Sequence, residues 1–122
     1  MKKQILLFAF AVICCLSIFA SAGRAADRVS IIIEVFADSA NHLTLHRQVE
    51  TGTNARDLMD TIFKMDYQDI GRKFVVAIAG LAVRSQERQF WQLEIDGQMS
   101  SVGIADVRIT KPMRIRWQIA SY

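Results

Sequence analysis

Proline is nearly missing from these 122 residues, with Pro112 the single example, and cysteine is confined to the adjacent pair Cys14 and Cys15. Beyond residue 15 there is no thiol, which excludes a disulfide framework and a thiolate metal site from most of the chain. Histidine is equally scarce: His42 and His46 are the two examples. If they share a strand, residues four apart are separated by about 13 Å at a rise of about 3.3 Å each, too far for one ion. A surplus of charge is also absent from the greater part of the chain. Of 15 Lys and Arg against 12 Asp and Glu, Lys2 and Lys3 precede residue 22, leaving 13 against 12. No basic stripe remains to bind nucleic acid. Repeats, Pro- or Gly-rich linkers and low-complexity tracts are missing too, so the remainder reads as one domain.

One long apolar run is present. Met1-Lys2-Lys3-Gln4 is followed by an uncharged stretch from Ile5 to Ala22, and Ala20-Ser21-Ala22 offers the small-x-small pattern of signal-peptidase sites. Residues 1–22 are expected to be a signal peptide, with export to the extracellular space, or the periplasm of a bacterium, and no membrane association afterwards. Ile13 before Cys14 is too large for a lipoprotein signal. About one hundred residues then remain, enough for a core without crosslinks.

The pattern of this remainder predicts an α+β domain. Val29–Ala37 is β-branched and apolar, Asp38-Ser39-Ala40-Asn41 is turn chemistry, and His42–Glu50 alternates, so the two runs read as a β-hairpin. Thr53 and Asn54 are helix-cap residues. Ala55, Leu58, Met59, Ile62 and Phe63 follow at helical spacing, predicting a helix over 54–66. Asp57, Asp60, Asp66 and Asp69 then read as its solvated acidic side. Three further strands are expected: 74–78, 89–95 before the Asp96-Gly97 turn, and 113–119. Alternation places Trp91, Leu93 and Ile95 on one face of the second, and Met113, Ile115, Trp117 and Ile119 on one face of the third. The order, a β-hairpin, one helix, then three strands, predicts a β-grasp-like mixed sheet with the helix packed on one face.

No nucleophile, base and orienting group come together in this pattern, and Ser39, Ser100 and Ser101 lack an elbow or triad context, so an enzyme is not expected.

Four segments carry a resemblance. Phe90-Trp91-Gln92-Leu93, then Val102-Gly103-Ile104-Ala105-Asp106, then a last strand ending in Tyr122, resemble the C-terminal domain of the transcobalamin and gastric intrinsic factor family. Phe74–Gly80 resembles the strand that precedes the tryptophan in that family, and the similarity spans about residues 28–122. It implies a domain that binds cobalamin, a corrinoid, as a small-molecule ligand through Phe74, Val75, Trp91, Gln92, Leu93, Gln98, Met99 and Ser100. Because a helical barrel supplies the other half of the vitamin site in those carriers, the resemblance also implies a helical-barrel partner protein or a receptor. Arg72, Lys73 and Lys111-Pro112 depart from the family pattern. A module that docks another protein through an exposed strand or aromatic patch, with no vitamin, is the alternative the residues themselves leave open.

Overall fold

The computed structural model describes residues 27–122, and the expected signal peptide lies outside the described residues. β1 (Arg28–Asp38) and β2 (Asn41–Glu50) form the expected hairpin. Its turn is held by the Asp38 carboxylate, whose Oδ1 accepts the Ala40 and Asn41 N–H groups at 2.8 Å each. β3 (Thr53–Asn54) leads into α1 (Ala55–Ile62), where the Asn54 side chain accepts the Asp57 N–H at 3.2 Å.

The helix is one turn shorter than the spacing predicted. Phe63 is already extended, and Met65–Tyr67 leaves the helix to become β4, which pairs antiparallel with β5 (Val75–Ile78). β6 (Leu81–Ala82) completes this small sheet in the order β4-β5-β6. The expected strand at 74–78 therefore exists, but it belongs to this second sheet and not to that of the hairpin.

β7 (Gln89–Ile95), β8 (Gln98–Met99), β9 (Arg108–Ile109) and β10 (Met113–Ser121) follow. The main sheet has the order β2-β1-β10-β7-β8, while β3 and β9 form a two-stranded ribbon. β1 and β10 run parallel at its centre, with Ile33 opposite Ile115 and Val35 opposite Trp117. All other pairs in this sheet are antiparallel, so it is mixed, as expected for the α+β class.

One face of the main sheet is apolar. Ile31, Ile33 and Val35 of β1, Trp91 and Leu93 of β7, and Ile115 and Trp117 of β10 join Ala55 and Met59 of α1 in one buried cluster. Burial of this kind is the main force holding an uncrosslinked domain together. The opposite face is closed by charge. Glu34 accepts from Arg114 at 3.0 Å and Arg116 at 3.4 Å, the Arg116 guanidinium lies over Phe36, and Phe36 stacks on His42. Both histidines are exposed, and no three potential metal-ligating side chains cluster among the described residues. Among those residues, too, no helix is long and apolar enough to cross a membrane.

Candidate functional site

β8 covers only Glu94 and Ile95 of β7, so Gln89 to Leu93 form a free edge of the main sheet apart from two bonds at its ends, Gln89 N–H to the Arg84 carbonyl at 3.2 Å and Ser100 N–H to the Leu93 carbonyl at 2.9 Å. This edge opens into a cleft of about 690 Å³ between β7, the small sheet and the 99–104 segment. The edge position explains why residues of both parities reach it. Trp91 and Leu93 alternate inward with Ile104 and Trp117 to make a buried floor, whereas Phe90 and Gln92 stand at the mouth. Phe74, Val75 and Val76 contribute the side nearest the small sheet, and Met99, Ser100, Val102 and Gly103 the other.

Of the eight residues that the resemblance implied, Phe74, Val75, Trp91, Gln92, Leu93, Met99 and Ser100 line this one cleft. Gln98, which pairs with Ile95 in the β7–β8 hairpin, lies outside its lining. Trp117 was not among the eight. It sits opposite Leu93 across β10 and β7, one diagonal from Trp91, and the two rings share the cleft.

The rim is apolar and uncovered. Among the described residues, six large hydrophobic side chains are exposed, and five of them line the cleft: Phe74 (65%), Phe90 (37%), Met99 (70%), Val102 (47%) and Tyr122 (77%). Such a concentration marks a binding surface far more often than scattered exposure does. The polar side chains are few and neutral apart from Lys73: Gln68, Ser85, Gln89, Gln92 and Ser100. A mostly apolar concavity with a few convergent hydrogen-bonding groups is the usual construction of a small-molecule site.

Two donors in the floor are unmet. The indole N–H groups of Trp91 and Trp117 are buried and have no acceptor among the described residues. Among the described residues no polar side chain is buried in the core to supply one. An unmet buried donor typically costs about 1–3 kcal/mol.

The side of the cleft formed by Gln68 to Phe74 is anchored from two directions. The Tyr67 hydroxyl donates to Asp60 Oδ1, and Arg72 Nη1 donates to Asp60 Oδ2 at 2.7 Å, tying the segment to α1. Burial, then the bond to Asp60, raises the Tyr67 phenol well above its ordinary value, so it remains a donor throughout the neutral range. Asp69 is the second anchor: its Oδ1 accepts the Phe74 N–H at 3.0 Å and the Lys73 N–H at 2.9 Å. The four aspartates read as one acidic helix side thus divide, with Asp57 and Asp60 on α1, Asp66 on β4 and Asp69 in the loop.

The bonds from Phe74, then Lys73, hold the Asp69 carboxyl below its ordinary value of 3.8. A depressed carboxyl contributes stability that is complete above the unfolded value and is lost as pH falls through the lower, folded one. Hydrogen exchange at the Lys73 and Phe74 amides is expected to be slow near neutrality. Corrected for intrinsic rate, it should quicken below about pH 4. Asp69→Asn should abolish that dependence, whereas an unchanged profile would mean that Asp69 does not hold the loop.

No curated protein matches the chain in sequence. Among solved structures, haptocorrin in complex with Cbi is similar at a TM-score of 0.64 and 16% identity, over 81% of this chain and 26% of that one. A candidate metal-binding protein from Ruminococcus gnavus ATCC 29149 is similar at 0.63 and 7% identity, over 77% of this chain and 98% of that one. At these identities the likeness is one of fold, and the chain spans about a quarter of the haptocorrin length. Residues 52–121, more than half of the chain, match the family described as a domain of unknown function (DUF4430), and the protein belongs to that family.

Proposed function

We propose that this is an exported, non-enzymatic corrinoid-binding domain that holds one face of a cobalamin against the cleft. The observation that carries the reading is the gathering of five exposed apolar side chains round a single cleft that also contains seven of the eight residues named by resemblance. A corrinoid offers a broad, partly apolar ring edged by amides. The rim suits the ring, and the free backbone edge of β7 with Gln92 and Ser100 suits the amides. The fold likeness to part of haptocorrin, a protein solved with Cbi, supports the same reading. With a cleft of about 690 Å³ open at its mouth, much of so large a ligand stays uncovered, leaving its other face to a second protein such as a helical barrel or a receptor.

The test is a titration of the exported protein with cyanocobalamin and with cobinamide, followed by visible absorption and calorimetry, after sequencing its N-terminus. Saturable binding is expected, on a chain that begins after Ala22 or a few residues later. No heat or spectral change at millimolar ligand would remove the corrinoid reading, and a retained Met1 in the membrane fraction would remove export.

One observation favours a second reading. A free strand edge beside an apolar cleft is also how an extended peptide adds to a sheet, so a protein-docking module would use the same Gln89–Leu93 edge. A saturable peptide ligand in the absence of any corrinoid binding is the result that would favour it.

A further inference from the structure

We propose that Trp117 is a second ligand-binding residue, and that its indole N–H, together with that of Trp91, is kept for acceptor oxygens that arrive with the ligand. This deepens the corrinoid reading and rests on it. Both rings line the cleft, both are more than nine-tenths buried, and both N–H groups lack an acceptor among the described residues. The two lie on adjacent strands: Trp117 is opposite Leu93 and Trp91 opposite Ile119, so the rings are diagonal neighbours on the same sheet face. Every residue in those two pairs is apolar apart from the indole nitrogens, and no polar side chain among the described residues is buried in the core, so those residues supply nothing for either donor. Phenylalanine at either position would fill apolar space without an unmet group. Neither nitrogen touches solvent, so the acceptor must come on a group that enters the floor and displaces the side chains over it. An amide or carboxylate oxygen is the matching chemistry, and amide oxygens ring the edge of a corrinoid.

The chain contains only two tryptophans, so a ¹⁵N-labelled sample gives two indole N–H signals, assignable with Trp117→Phe and Trp91→Phe. On addition of cyanocobalamin, both indole proton and nitrogen resonances are expected to move downfield together and to exchange more slowly with solvent. Trp117→Phe, which keeps an aromatic ring and removes only the donor and part of the ring, should stay folded and bind about fivefold more weakly, the loss of one neutral hydrogen bond. If visible absorption reports binding but the Trp117 signal stays where it was, or if Trp117→Phe binds as tightly as the parent, this inference falls and the corrinoid reading stands. The same holds if the Trp117 N–H is already hydrogen-bonded to internal water and keeps that bond when ligand binds. If absorption and calorimetry detect no binding at all, the corrinoid reading fails first and this inference fails with it.

Discussion

Trp91→Ala and Trp117→Ala are each expected to lose about 3–5 kcal/mol of folding stability, as measured by chemical denaturation. Trp91 is 6% exposed and Trp117 3%, and both belong to the cluster that joins the central strands to α1. Removing either ring deletes a large apolar surface and leaves a cavity that two hydrogen-bonded strands cannot collapse to fill. A domain of this size has about 5–15 kcal/mol in total, so either variant stands at the margin of folding. Loss of ligand binding by an alanine variant would therefore report on folding before it reported on the site. The phenylalanine variants separate the two effects, because they keep most of the ring. A Trp91→Ala protein that unfolds at the parent's denaturant midpoint would show that its ring contributes nothing to the core, against the burial described above.

The same two residues show how far the sequence could be read. Alternation alone assigned Trp91, Leu93 and Ile95 to one face of β7, and Met113, Ile115, Trp117 and Ile119 to one face of β10. The burial of Trp91, Leu93, Ile115 and Trp117 agrees. Local pattern carries no information about which strands become neighbours. That β10 inserts between β1 and β7, setting Trp117 beside Leu93, is decided by pairings up to 82 positions apart in sequence, such as Ile31 with Met113. Trp117 was accordingly missed as a cleft residue although its inward direction was legible. The parity of the two tryptophans was the signal that could have found it.

The helix shows the same division. Its start was written in Asn54 and Asp57, a local cap, whereas its end depended on Met65–Tyr67 being captured by Val75–Ile78 across a seven-residue connection. Apolar spacing through Phe63 gave no hint of that competition. The seven cleft residues that the sequence named were legible only through the resemblance of the Phe74 and Trp91 segments to a vitamin-carrier domain. Nothing in composition or periodicity distinguishes an exposed Phe74 from a buried one.

Met59→Ala is expected to cost about 2–5 kcal/mol and, unlike a loss elsewhere in the core, to loosen the cleft as it does so. α1 has eight residues, too few to be stable as an isolated helix, so its place depends on the apolar face it buries. Met59 is fully buried at the centre of that face, with Ala55 one turn before it. The next residue, Asp60, holds both Tyr67 and Arg72 and through them the Gln68–Phe74 side of the cleft. A helix that has lost its grip on the sheet therefore loses its grip on that segment as well. Denaturation should show the stability loss. Hydrogen exchange should show faster opening at Gln68, whose N–H donates to the Phe74 carbonyl at 2.9 Å, and at the Phe74 amide. Asp60→Ala is the companion variant, because it cuts the tether while leaving Met59 in the core. It should reproduce the faster exchange at the cleft with a much smaller loss of global stability, since a partly exposed ion pair is worth about 0–1 kcal/mol. If Met59→Ala destabilises the domain but the Gln68 and Phe74 amides keep their protection relative to the rest of the chain, the cleft is held by β4–β5 pairing alone and α1 has no part in positioning it.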